Sequence, residues 1–227
     1  MNLKMGLFLN KKLVYGKGKN DSTSYVYKNK PTGEHYPNGK KKYRVVWRCP
    51  YYRKWTAMLE RCYSERFQKG NPTYKDCFVC EGWLTFSNFK RWMALQEWEG
   101  YELDKDLLFG ENKGYSPETC VFVHEKPNGF INDYGNGRGE WLLGVSWCTT
   151  KKKFVAQCRN PFKSEGDTRQ YYVGSYGSEL EAHLAWKKRK HEYSCELANS
   201  KYVTDERVGK ILLYKYENYT VLEDHIR

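Results

Sequence analysis

Three glycines fall within the six residues Tyr134-Gly135-Asn136-Gly137-Arg138-Gly139. Glycine gives up more backbone freedom on ordering than any other residue, so neither a helix nor a strand is expected to run through such a stretch. The chain is therefore expected to divide there, and each side has to bury its own apolar surface. With 227 residues, 40% of them hydrophobic, both pieces are long enough to do so.

Charge divides the chain a second time. Residues 1–54 carry 14 Lys and Arg against only Asp21 and Glu34, a net +12. Residues 55–137 are acidic at −4, and residues 138–227 are basic at +4. A basic arm beside an acidic centre suits a protein that holds a polyanion, although a solvated arm with no partner has the same composition.

Periodicity places the elements. In residues 1–54, short strand-like runs (Leu7–Leu9, Tyr25–Tyr27, Tyr43–Trp47) alternate with Gly- and Lys-rich turns, which predicts an extended, partly ordered strap. Trp55, Met58, Leu59 and Cys62 follow i, i+3, i+4, i+7 and predict a helix over 54–66. A second helix is expected from Thr85 or Ser87 to Gly100. Then come a strand at Tyr101–Leu108, a polar loop at Phe109–Thr119, a strand at Cys120–Val123 and a short helix at Glu125–Tyr134. Beyond the glycines, strands are expected at Leu143–Cys148, Lys153–Arg159 and Arg169–Val173. The helix after them opens on a Ser178-x-x-Glu181 capping box. The expected class is α+β, in four parts: strap 1–54, central domain 55–134, C-terminal domain 141–198 and extension 199–227.

The middle segment carries the candidate chemistry. Asp104 and Asp106 end a strand and share one face of it, Asn112 lies in the following loop, and Asn128 lies on the helix. Oxygen ligands from a strand and a helix suit a hard divalent cation, Mg or Mn, which stabilises charge developing on a phosphate. Each of these residues also has an ordinary reading, as turn chemistry or as a surface carboxylate.

In order along the chain, Trp55…Met58-Leu59…Arg61-Cys62-Tyr63, Val79-Cys80…Trp83…Phe86…Phe89, Leu103-Asp104-Lys105-Asp106, Asn112-Lys113, Tyr115-Ser116-Pro117-Glu118-Thr119-Cys120 and Asn128 resemble the HNH-type proteins of bacteriophages, including free-standing homing endonucleases. The resemblance covers about a third of the chain. It implies a ββα-metal finger with preceding helices, with Asp104 and Asn128 as metal ligands and Asn112 bracing the loop. It puts Lys105 where the family usually has its general-base histidine. A lysine with an ordinary pKa of ~10.4 is a poor base at neutral pH. Asp106 or His124 is therefore the expected substitute if the site cuts DNA.

Past the glycines, Gly144-Val145-Ser146-Trp147, Lys153-Phe154-Val155-Ala156-Gln157, Tyr172-Val173-Gly174-Ser175-Tyr176 and Glu179…Glu181-Ala182…Ala185-Trp186 resemble an AP2/ERF-type DNA-binding domain. That resemblance implies a three-stranded antiparallel sheet packed on one helix, its other face reading duplex DNA. The expected contacts are Trp147, Lys151, Lys153, Arg159, Arg169 and Tyr171. Lys187-Lys188-Arg189-Lys190 on the helix is expected to be a solvated face.

Cys77-x-x-Cys80 has metal-knuckle spacing, and Cys62 and Cys120 complete a possible zinc set, but there is no second C-x-x-C and buried cysteines are often small hydrophobes. No apolar run approaches the ~18 residues of a membrane helix, and Met1–Met5 shows no leader; the expected setting is a reducing cytoplasm with double-stranded DNA as partner. Three functions remain open: a metal-dependent HNH endonuclease that nicks or cuts both strands, a DNA-binding protein with a degenerate finger, and a phage protein acting on a host defence factor.

Overall fold

The computed structural model describes residues 12–110, 112–132, 140–163 and 171–217. It is a mixed α and β molecule with small sheets, in two compact units. One comprises Met1–Trp98 with Leu103–Val121, the other Glu99–Glu102 with Phe122–Arg227. The glycine-rich stretch 133–139 lies outside the described residues. Along the chain the first unit ends at Val121 and the second resumes at Phe122.

The first unit opens on a short strap that is pinned rather than loose. The Lys19 amide donates to the Leu84 carbonyl at 2.7 Å, and the Phe86 amide donates to the Lys19 carbonyl at 3.0 Å. Gly18 lies against the core, where a Cβ would stand 2.3 Å from Leu59 Cδ1 and 2.9 Å from the Trp55 ring, so only glycine fits. The strands Leu7–Leu9 fall outside the described residues. An antiparallel hairpin follows, β1 (Tyr27–His35) with β2 (Lys41–Arg48), turning through Pro37-Asn38-Gly39 with Gly39 at φ 78°.

Helix α1 (Pro50–Tyr63) starts four residues before the expected 54 because Pro50 occupies its first position, where proline costs no hydrogen bond. Its buried stripe is Trp55, Met58, Leu59 and Cys62. It stops short of 66 because Ser64 caps a new helix, α2 (Glu65–Gly70), accepting the Phe67 amide. The Gln68 side chain turns back onto the last carbonyls of α1, at Arg61 (3.1 Å) and Cys62 (2.8 Å). Strand β3 (Phe78–Val79) leads to α3 (Phe86–Met93), and the Trp55 indole N–H ties α1 to the Trp83 carbonyl between them at 2.7 Å. Helix α3 ends at Met93, so Gly100 does not close it; Gly100 turns the chain at φ 79° just before β4 (Tyr101–Asp104). Strand β5 (Gly114–Tyr115) pairs in parallel with β3. Strand β6 (Val121–His124) pairs with β4, and both of these strands are shared between the units.

In the second unit α4 (Glu125–Ile131) is followed by an antiparallel sheet in the order β7 (Val145–Cys148), β8 (Lys153–Cys158), β9 (Tyr171–Tyr176). Helix α5 (Glu179–Ala198) carries both halves of the Ser178/Glu181 capping box, and α6 (Glu206–Lys215) is capped by Asp205. Lys190 does not join a solvated face. It is 7% exposed, donates to the Phe130 carbonyl at 2.7 Å and lies over the Phe130 ring at 3.9 Å. Tyr216, beyond α6, packs edge-on to both Phe130 and Trp186. Those contacts tie α4 to the second unit, and Val208, Leu212 and Tyr216 from the C-terminal segment join its core.

Candidate functional site

In the first unit the structure brings together Asp104, Lys105, Asp106 and Asn112. Asp104 ends β4, and its Oδ1 accepts the amides of Asp106 and Leu107, both at 2.8 Å. This carboxylate closes the turn that leaves the strand, the local bonding that makes Asp a turn residue. Lys105 is 5% exposed, and its ammonium binds the Asp106 carboxylate and the Asn112 carbonyl, the latter at 2.5 Å. The Asn112 side chain donates to the carbonyls of Lys105 (3.1 Å) and Gly114 (2.6 Å) and accepts the Gly114 amide at 3.1 Å. Asn112 thus stitches the end of β4 to the start of β5 across the loop. Thr119 adds a bond to the Gly114 carbonyl at 2.8 Å.

The chemistry of this group is that of a structural knot. A lysine ammonium already sits on Asp106, and the Asp104 oxygen that faces the turn holds two backbone donors. A divalent cation there would meet a fixed positive charge and a half-occupied carboxylate. Among the described residues no group of three or more His, Cys, Asp or Glu side chains is arranged to hold a metal ion. The donors present do not fit the divalent metal that the HNH resemblance implies.

His124 and Asn128 belong to the second unit. His124 caps α4, its Nδ1 accepting the Lys126 amide at 3.1 Å, and its ring packs between Tyr101 and Tyr202 at 5.4 and 4.7 Å. Asn128 Oδ1 accepts from the Asn132 side chain at 3.3 Å. The cap uses the ring nitrogen through which a histidine would otherwise take a proton on that side.

The four cysteines with metal-like spacing all lie in the first unit. Burial pushes the Cys62 and Cys120 thiols up to about 12. Burial raises Cys77 and Cys80 as well. Left to themselves they stay protonated and pack as small hydrophobes.

The third group is the β7–β9 sheet. Ladder partners point to the same side, and the ladder aligns Val145 with Ala156 and Gly174, and Trp147 with Phe154 and Tyr176. Ala156 and Cys158 on that side are 0% and 1% exposed and mark the face that α5 covers. Ser146, Val155 and Ser175 share the opposite face, joined by Lys153 and, past an irregularity in β9, by the pair Gln157 and Tyr172. Lys153 and Arg159 are exposed, and the Lys151 ammonium lies 5.0 Å from the centre of the exposed Tyr172 ring. Trp147 departs from expectation. It is exposed, but it stacks edge-on with Phe154 at 4.8 Å, so it sits at the rim of the covered side rather than beside Lys153. Arg169 lies outside the described residues, and Tyr171 is described for its backbone alone, paired with Cys158. Tyr172 and Gln157 are open-face residues that the strand pattern alone did not single out. Counting by twos from Lys153 finds Gln157, but the extra residue in β9 hides Tyr172. In comparisons with known proteins, no family model, no curated protein and no solved structure matches this chain.

Proposed function

We propose that the chain is a double-stranded DNA-binding protein, with an AP2-like recognition sheet in its C-terminal half and an HNH-like finger that has lost its cutting chemistry. The observation that carries this reading is one face of the β7–β9 sheet, where Lys153, Gln157 and Tyr172 stand exposed or half-exposed around the buried Val155, with Lys151 over the Tyr172 ring and the exposed Arg159 one residue past β8. Cations of this kind bind phosphates, and Arg and Gln read base edges in the major groove. The net +12 of residues 1–54 adds sequence-independent attraction to the backbone.

Cleavage is the second reading, favoured by the strand-end position of Asp104 and by the bracing of the loop by Asn112. The buried Lys105 weighs against it, since a paired ammonium replaces the proton acceptor such a site needs. One preparation tests both readings. Duplex binding is followed by fluorescence anisotropy, and plasmid nicking is assayed with Mg²⁺ and with Mn²⁺ for the wild type and Asp104→Ala. We expect binding without nicking in either protein. Metal-dependent nicking that Asp104→Ala abolishes would establish the endonuclease instead, and no duplex binding at all would remove DNA as the partner.

A further inference from the structure

The β1–β2 hairpin is the least covered part of the first unit, and its two faces differ in chemistry. Every residue of the two strands is exposed except Asn29 and Lys42, which are half-buried. The ladder pairs Lys28 with Trp47 and Lys30 with Arg44, and Lys28 and Lys30 are two apart on one strand, so these four share a face. The Lys28 ammonium lies 5.4 Å from the centre of the Trp47 ring. Tyr27, Asn29 and Pro31, with their partners Arg48, Val45 and Tyr43, form the other face. Between Tyr27 and Arg48 there are seven Lys and Arg and one acid, Glu34, which is paired with Lys42 at 3.0 Å.

We propose that this hairpin is a nucleic-acid docking ribbon, entering the major groove of duplex DNA with the Lys28–Lys30–Arg44–Trp47 face toward the duplex. The inference rests on the DNA-binding reading above and gives it a second contact surface, separate from the sheet. The shape fits: strands of nine and eight residues extend roughly 30 Å, and a two-stranded ribbon is one of the few elements that the ~12 Å major groove admits. The charge fits as well: Lys28, Lys30 and Arg44 are exposed cations on this face, and the hairpin's one acid, Glu34, is neutralised by Lys42, two residues from Arg44. The exposed indole supplies an apolar contact to base edges or sugars. Addition of another strand, from a partner or a second copy, is disfavoured by Pro31, by the lysines and by the two register irregularities, which are devices that block edge pairing.

The test uses the full chain and a duplex selected from a random-sequence pool. Two variants are compared with the wild type: the triple substitution Lys28→Ala, Lys30→Ala, Arg44→Ala, and the opposite-face pair Tyr43→Ser, Val45→Ser. All of these side chains are exposed, so unchanged thermal melting shows that each variant is folded. Three lost phosphate contacts should weaken binding by roughly tenfold or more at moderate salt and lower the slope of log K against log salt by roughly 2–3. Protection of guanine N7 from methylation, a major-groove signal, should shrink in the triple variant and persist in the opposite-face pair. If the wild type binds duplex and the triple variant keeps its affinity, salt slope and footprint, the ribbon is not the contact, while the sheet-based reading stands. A larger loss in the opposite-face pair overturns the proposal in the same way. Hairpin-dependent binding to phosphatidylserine vesicles without duplex binding overturns both readings and makes an anionic membrane the partner.

Discussion

In the loop between β4 and β5, Lys105 is 5% exposed and its ammonium is already held by Asp106 and by the Asn112 carbonyl. On the sheet of the second unit, Lys153 stands in solvent and Lys151 rests over an exposed tyrosine ring. The residue types are similar, but their uses are opposite. In the loop Lys105, the Asn112 side chain and one oxygen each of Asp104 and Asp106 are held by groups of the same loop, so a substitution at Lys105 or Asn112 should change stability and leave binding alone. On the sheet the Tyr172 hydroxyl meets Ser175 at 2.8 Å, while the Lys153 and Arg159 side chains stand exposed, so substituting these two cations should change binding and leave stability alone. That contrast decides which lysines to test for function, and charge counting along the sequence does not reveal it.

The largest expected effect probes the support of the sheet. Gly144 has φ 77°, and a Cβ there would stand 2.1 Å from the Trp186 ring. Gly144→Val should cost at least ~3 kcal/mol, from left-handed backbone strain together with overpacking, and should remove DNA binding because the sheet is lost. A thermal melt unchanged within error would show that the sheet does not lean on Trp186. Next in size is Lys105→Met. It leaves the Asn112 carbonyl without its donor, and we expect a loss of about 2 kcal/mol by denaturant unfolding, less than for a fully buried pair because Asp106 is half-exposed. Duplex affinity should not move; a drop in affinity at unchanged stability would place Lys105 among the contacts and erase the contrast.

Arg159→Ala should do the reverse. A bidentate contact to guanine is worth ~1–3 kcal/mol of discrimination, so base preference should relax at one or two positions with no shift in melting. Lys151→Ala should weaken binding to all sequences alike. Binding-site selection on the two variants separates these outcomes, and identical behaviour of both would mean that the sheet attracts DNA without reading it.

The smallest effect lies far from either region. Asp21 accepts both the Ser87 amide (2.9 Å) and the Ser87 hydroxyl (2.6 Å) at the start of α3. Burial alone would raise its pKa, but these bonds hold it below the ordinary carboxylate value. A depressed folded pKa contributes stability above the unfolded value, which is lost as pH falls through the folded one. Asp21→Ala should therefore cost about 1 kcal/mol at neutral pH, and the difference from wild type should fade below about pH 4. A pH-independent difference would assign the loss to packing instead.

Much of the local structure follows from local rules. The stripe Trp55, Met58, Leu59, Cys62 makes α1, and the Ser178/Glu181 box starts α5. The turn Pro37-Asn38-Gly39 is local as well, although of the nine residues of β1 only Tyr27 lies in an expected strand run. These features depend on residues within one or two turns of each other, so the sequence alone determines them. It also determines that the first 54 residues are strongly basic, whatever they fold into.

Only the tertiary structure decided which charges are spent. Lys190 sits in a run of four basic residues on α5 and looks solvated, yet Phe130 and Tyr216, 60 and 26 positions away along the chain, close over it. Asp21 caps a helix 66 residues downstream. The parallel pairing of Phe78–Val79 with Gly114–Tyr115 has no periodic signature in two-residue strands. Phe130 on α4 meets Tyr216 beyond α6, which lies 86 positions later in the chain. Each of these depends on partners distant in the chain. A side chain's cost of burial is set by which group answers it in space, and a linear pattern does not record that.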